Sequence, residues 1–178
     1  MSNNHILILG GARSGKSSLA EKICLKLDSN PAYIATAEAG DGEMAARIAL
    51  HKNRRSKNFT SFEVPLTLAS TIQRVQKNHN VILVDCLTLW LSNLTFSSNI
   101  DKTTQIRQLQ SVLVSSPDCT IVMVSNEVGM GLVPDNKLAR QFGDETGLLH
   151  QNLARICANV CLSVAGLPLM LKGQLPDI

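Results

Sequence analysis

Short apolar runs of strand length alternate along the chain with longer stretches whose apolar residues recur every three or four positions. The runs are Ile6-Leu7-Ile8-Leu9, Ala32 to Thr36, Val81 to Val84 and Thr120 to Val124. Each is nearly continuous in apolar side chains, as expected of strands covered on both faces. Between them, Leu19, Ala20, Ile23, Cys24 and Leu27 have helical spacing with one buried face, as do Leu68, Ile72 and Val75, and Ile106, Leu109, Val112 and Leu113. Glu43 to Arg55 is a helix sequence after the turn Gly40-Asp41-Gly42, Phe59 to Val64 a short extended piece, and Leu87 to Leu94 an apolar helix. Residues 95–104 are polar and read as a loop. Leu138 to Phe142 reads as a short helix, separate from an amphipathic stripe of Leu149, Leu153, Ile156 and Val160 that begins at Thr146. Cys161 to Lys172 predicts two short strands about Gly166-Leu167-Pro168. Alternating strand and helix predict one α/β domain over residues 1–178, a mostly parallel sheet flanked by helices and closed by a C-terminal β-hairpin.

Between the first strand and the first helix lies Gly10-Gly11-Ala12-Arg13-Ser14-Gly15-Lys16-Ser17. It matches G-x-x-x-x-G-K-[ST], the phosphate-binding P-loop, in its required strand–loop–helix setting. Glycines let the backbone approach phosphate oxygens, and the N–H groups of the loop and the helix N-terminus point at the anion. Lys16 is expected on the β- and γ-phosphates, and the Ser17 hydroxyl on Mg²⁺. A buried run ending in Asp85 is the matching second signal, a strand delivering a carboxylate to that Mg²⁺.

Polar residues close the other strands. Thr36-Ala37-Glu38 ends a strand expected beside the P-loop strand, where open α/β sheets bind ligands. Glu63 could accept N–H groups of a purine or bond a ribose. Ser125-Asn126-Glu127 leads into a glycine-containing stretch to Asn136, read as a substrate loop. Arg47, His51 and Arg55 are spaced i, i+4, i+8. Like charge from Arg47, Lys52, Arg54 and Arg55 disfavours the imidazolium of His51. A neutral imidazole is a nucleophile, and its basic neighbours would neutralise a phosphate under attack. A basic surface with a passenger histidine is the alternative for this cluster.

Composition narrows the classes. A net charge of +3 with scattered basic residues does not argue for nucleic acid. No charged leader precedes a long apolar stretch, and no run is long enough to span a membrane. Five cysteines without a C-x-x-C read as free thiols of a reducing cytoplasm. A different small P-loop metabolite kinase and a non-enzymatic GTP-dependent switch are competing readings. Against the switch, Asn136-Lys137-Leu138-Ala139 fails the guanine motif N-K-x-D at its last position.

Taken together, these stretches resemble the bifunctional adenosylcobinamide kinase / adenosylcobinamide-phosphate guanylyltransferase family of cobalamin biosynthesis. The resemblance rests on Gly10 to Ser17, Tyr33-Ile34-Ala35-Thr36, Glu43 to Ile48 with His51 and Arg55, Asp85-Cys86-Leu87-Thr88, Asn126 to Asn136 and Ala165-Gly166-Leu167-Pro168. It implies a RecA-like P-loop domain with two reactions: phosphorylation of adenosylcobinamide by ATP or GTP, and transfer of GMP from GTP to the resulting phosphate. It also implies a GMP–histidine intermediate at His51, guanine-nucleotide contacts at Thr36 to Glu38, Lys52, Asn53, Arg54, Arg55, Glu63 and Asp85, and a homotrimer. The chain departs from the family in having Gly143 where Arg is usual and His150 where Asn is usual. Leu50 stands where relatives can carry a second histidine, so His51 is the sole candidate in its motif. For the acceptor hydroxyl the sequence singles out no base; Glu127 is a candidate.

Overall fold

The computed structural model describes residues 4–38, 40, 42–54 and 57–176. Its elements in chain order are β1 (Ile6–Gly10), α1 (Lys16–Leu27), β2 (Ala32–Ala35), α2 (Gly42–Arg54), β3 (Thr60–Glu63), α3 (Leu68–Val75), β4 (Val81–Asp85), α4 (Leu87–Phe96), α5 (Lys102–Val114), β5 (Thr120–Asn126), α6 (Lys137–Ile156), β6 (Asn159–Val164) and β7 (Leu167–Lys172). The strands form one seven-stranded sheet in the order β3-β2-β4-β5-β1-β6-β7. Every pairing is parallel except β6 with β7. This is the α/β architecture that the hydrophobic pattern predicts.

The two-residue period of the strands divides the core into two layers. Leu7, Leu9, Ile82, Val84, Ile121 and Met123 face α3, α4, α5 and α6. Ile6, Ile8, Leu83, Val122 and Val124 face Leu19, Ala20, Ile23 and Cys24 of α1. Trp90 is fully buried in the first layer, and its indole N–H donates to the Leu66 carbonyl at 2.8 Å. All five cysteines are free and buried. Burial pushes the Cys86 thiol up to about 11 and those of Cys119 and Cys157 up to about 12, so they are protonated at neutral pH.

Three element boundaries differ from the sequence reading. Helix α5 begins at Lys102, inside the expected loop, because the Asp101 side chain accepts the Thr104 N–H at 2.7 Å as an N-cap. Residues 137–156 form a single helix rather than two pieces. Gly143 and Gly147 each weaken it by about 1 kcal/mol relative to alanine. The stripe of Phe142, Thr146, Leu149 and Leu153 nevertheless packs continuously on the sheet. The hairpin turns at Ala165-Gly166, and Pro168 lies within β7, an edge strand that tolerates it.

His5 is fully buried just before β1. Its Nδ1 accepts the Ile121 N–H at 3.2 Å, so its Nε2–H donates to the Leu113 carbonyl at 2.8 Å. Burial lowers its pKa from the ordinary 6.5, with the Leu113 bond opposing. The unfolded chain therefore takes up this proton first as pH falls. The stability is complete above the ordinary value and is lost as pH drops below it. His5→Leu is expected to destabilise by roughly 2–4 kcal/mol, since it strands two buried backbone groups. The variant should also lose part of the acid sensitivity. Thermal unfolding of both proteins between about pH 5 and 8 checks this; identical pH slopes would sink it.

Candidate active site

Because β1 to β5 run parallel, their carboxyl ends share one edge of the sheet. In register, Glu63 of β3 lies beside Ala35 of β2, Ala35 beside Asp85 of β4, and Asp85 beside Val124 of β5. Gly10 lies beside Asn126, completing the row at β1. Strands about 4.8 Å apart place the end of β4 about 10 Å from the P-loop strand, and that of β3 about 19 Å away. Thr36 to Glu38 share this edge but not the expected adjacency, because β4 and β5 intervene between β2 and β1. Strand order is set by long-range pairing, which the local sequence does not encode.

The loop from Gly10 to Ser17 is shaped by its glycines. Gly10 leaves β1 with φ +155°, and a Cβ there would strike the Ser163 carbonyl and come within 2.6 Å of Ser14 Oγ. Gly15 has φ +94°, and a Cβ would sit 3.0 Å from the Gly166 Cα. Arg13 also has positive φ, 57°. Such left-handed positions curl successive N–H groups into an anion-binding nest. Gly11, Ala12 and Arg13 are exposed, and Gly15 and Ser17 are half-buried. Helix α1 starts at Lys16 with Gly15 as its cap and no capping side chain, so its first-turn N–H groups remain for an anion. Ser14 Oγ is buried without a hydrogen-bond partner among the described residues. Lys16 is buried as a residue, and its ammonium donates to the Gly11 carbonyl at 2.7 Å. Burial lowers its pKa, while the Asp85 carboxylate works the other way.

Asp85 is half-buried, and its Oδ2 accepts the Tyr33 hydroxyl at 2.8 Å. Thr36 is fully buried: its hydroxyl donates to the Cys86 carbonyl at 2.7 Å and accepts the Cys86 N–H at 2.8 Å. This stitches the end of β2 to the residue after Asp85. Asn93 of α4 donates to the carbonyls of Thr36 (2.8 Å) and Pro65 (3.1 Å), fastening the chain after β2 and β3. Ala37 is half-buried and Glu38 exposed. Lys52 of α2 and Glu63 of β3, both exposed, form an ion pair with each other. His51, Asn53 and Arg54 lie in α2, but their side chains, like that of Arg47, fall outside the described residues, and so does the whole of Arg55. Asn136 is the N-cap of α6, its side chain accepting the Ala139 N–H at 2.7 Å, which accounts for the Asn-Lys pair without a guanine.

Supporting groups invisible to sequence reasoning come from the terminal hairpin. The Ser163 hydroxyl donates to the Ser14 carbonyl at 2.7 Å, and the Gly166 N–H donates to the same carbonyl at 3.0 Å. Ser163 lies 149 positions from Ser14, and only the β1–β6 pairing brings them together. The Tyr33 bond to Asp85 is hidden for the same reason. Ser163→Ala is expected to weaken GTP binding several-fold while lowering fold stability by about 1 kcal/mol. Calorimetric titration alongside urea unfolding separates the two. Unchanged affinity would show that the hairpin does not position the loop.

Residues 6–171 match the cobinamide kinase / cobinamide phosphate guanyltransferase family. The bifunctional adenosylcobalamin biosynthesis protein CobP of Pseudomonas aeruginosa is 46% identical over 168 residues, covering 94% of this chain and 97% of that one. The corresponding CobU protein of Escherichia coli is 36% identical, covering 94% and 99%. Among solved structures, the RadB recombinase has a TM-score of 0.50 at 13% identity, over 90% of this chain and 74% of that one. A Pyrococcus horikoshii OT3 protein has 0.56 at 7% identity, over 96% and 86%. The last two likenesses concern the fold alone, the RecA-like P-loop architecture. With its phosphate-binding loop and strand-end carboxylates on one edge, and with relatives of matching length, this chain belongs to the cobinamide kinase / cobinamide phosphate guanyltransferase family.

Proposed function

We propose that this chain carries out both reactions of its family on one sheet edge. It phosphorylates the aminopropanol hydroxyl of adenosylcobinamide with ATP or GTP. It then transfers GMP from GTP to that phosphate, releasing pyrophosphate and giving adenosylcobinamide-GDP. The observation that supports the reading is the loop from Gly10 to Ser17, with the Ser14 hydroxyl buried without a hydrogen-bond partner among the described residues and the start of α1 without a capping side chain.

In the kinase step the loop N–H groups hold the β- and γ-phosphates, and Lys16 exchanges the Gly11 carbonyl for the transferred phosphate. Positioning and charge stabilisation supply most of the acceleration. Ser17 and Asp85 offer one hydroxyl and one carboxylate oxygen. That donor set suits Mg²⁺, which keeps several waters and binds through few protein oxygens together with phosphates. When bound, Mg²⁺ neutralises charge on the phosphates. Tyr33 fixes the Asp85 carboxylate for this role.

In the transferase step His51 attacks the α-phosphorus of GTP, displacing pyrophosphate, and the substrate phosphate then displaces the histidine. The exposed Lys52–Glu63 pair, with Asn53, Arg54 and Arg55, supplies contacts for the guanine nucleotide. The distance of about 19 Å between β3 and the P-loop strand supports a rearrangement between the two reactions. A homotrimer is the assembly we infer from the resemblance. The exposed Leu167, Leu169 and Leu171 of edge strand β7 support a covered face there. Among the described residues no helix is long and apolar enough to cross a membrane. Five free cysteines support a reducing compartment, the cytoplasm.

Two substitutions separate the roles. After incubation with Mg²⁺ and α-labelled GTP, denaturation and peptide mapping should find an acid-labile GMP adduct on the peptide containing His51. His51→Ala should remove that adduct and retain phosphorylation of adenosylcobinamide; equal loss of both activities would refute the division. Lys16→Ala should lower kcat/KM of phosphorylation roughly 100–1,000-fold, measured by transfer from γ-labelled GTP. A loss below about tenfold would remove Lys16 from the reacting phosphate.

A further inference from the structure

We propose that Glu127 is the base that takes the proton of the phosphorylated hydroxyl, with His150 as its positioning residue. The inference rests on the kinase reading above and adds to it the group that the reaction still lacks. Strand β5 lies between β1 and β4, so the residue following it emerges between the P-loop and Asp85. Glu127 is that residue, and its N–H donates to the Gly10 carbonyl at 3.0 Å, fixing it against the first residue of the loop. Its side chain is 19% exposed, open to an incoming acceptor yet held in place. The carboxylate Oε1 accepts the Gly129 N–H at 2.5 Å, and Oε2 lies 3.6 Å from His150 Nδ1.

A buried chain of polar side chains stands behind this carboxylate. The Asn126 N–H donates to Thr88 Oγ1 at 2.7 Å, and the Thr88 hydroxyl also lies 3.5 Å from the Asn126 carbonyl. Thr88 and Ser125 hydroxyls are 3.0 Å apart, and Ser125 Oγ is 2.7 Å from His150 Nε2. Thr88, Ser125 and His150 are all buried. The Glu127 carboxylate facing Nδ1 favours the neutral tautomer with its proton there, and Nε2 then accepts from the Ser125 hydroxyl. Nδ1 has no other hydrogen-bond partner among the described residues. Burial lowers the His150 pKa while Glu127 raises it. A neutral imidazole orients the carboxylate without cancelling its charge.

In the step, the acceptor oxygen attacks the γ-phosphorus and the bond from that phosphorus to the bridging oxygen breaks. The electron pair leaves with the nucleoside diphosphate, and the hydroxyl proton goes to the Glu127 carboxylate. Each carboxylate oxygen carries two acceptor positions, so the Gly129 and His150 contacts leave room for it. Release of the phosphorylated product returns the proton to solvent.

The test is phosphorylation of adenosylcobinamide by the full chain with Mg²⁺ and γ-labelled GTP, paired with GTP binding by calorimetry. Glu127→Gln keeps an acceptor for Gly129 but cannot take a proton. Its kcat should fall roughly 100–10,000-fold, with KM and GTP Kd within about threefold of the unsubstituted protein. Glu127→Asp should recover part of the rate. His150→Asn should lower kcat about tenfold at constant KM. Should Glu127→Gln not fold, Glu127→Ala with added formate decides: rate rescue by formate supports the base, and no rescue in a variant that still binds GTP overturns it. A kcat within about threefold for Glu127→Gln, or a loss confined to KM, also overturns it. Absence of phosphorylation by the unsubstituted protein would instead overturn the kinase reading, and this assignment with it.

Discussion

The placement of β1 between β5 and β6 is the constraint on which the rest of the molecule depends. Parallel pairing to β5 brings the Glu127 N–H to the Gly10 carbonyl, and parallel pairing to β6 brings Ser163 and Gly166 to the Ser14 carbonyl. The loop from Gly10 to Ser17 is therefore held from both sides by chain that arrives more than a hundred residues later. Its curled backbone contains left-handed conformations at Gly15, where glycine adopts one freely, and at Arg13, where it persists only because the surroundings over-determine it.

Around this centre the molecule divides its polar groups by role. Thr36, Tyr33 and Asn93 have hydrogen bonds within the fold that fasten strand ends. Ser14 Oγ, Ser116 Oγ and His150 Nδ1 are buried polar atoms without such bonds among the described residues; Ser14 and His150 lie towards the carboxyl edge, and Ser116 lies before β5. Ser14 Oγ lies in the loop from Gly10 to Ser17, and His150 Nδ1 faces the Glu127 carboxylate at 3.6 Å.

The departures from the sequence reading have separate physical causes. Continuous packing of α6 on the sheet outweighs two glycines that look like a break, because burying Leu149 and Leu153 contributes more than the propensity loss. Asp101 captures a free N–H and starts α5 early. The strand carrying Thr36 was read as the P-loop strand's neighbour, whereas β4 and β5 take the positions between them.

The sequence by itself determined the alternation of strands and helices, the parallel class of the sheet, the glycine-rich loop between the first strand and helix, and the place of Asp85 at a strand end. These are legible because each depends on spacing within a few residues: a two- or four-residue period, or a glycine pattern flanked by strand and helix. The family was legible too, from motifs spread over nearly the whole chain. Only the tertiary structure decided the strand order, the fastening of Ser14 by Ser163 and Gly166, the anchoring of Asp85 by Tyr33, and the chain from Thr88 to Glu127. Each joins residues distant in sequence through the register of the sheet. That register is set by which faces pack together, a property of the assembled core that no local stretch carries.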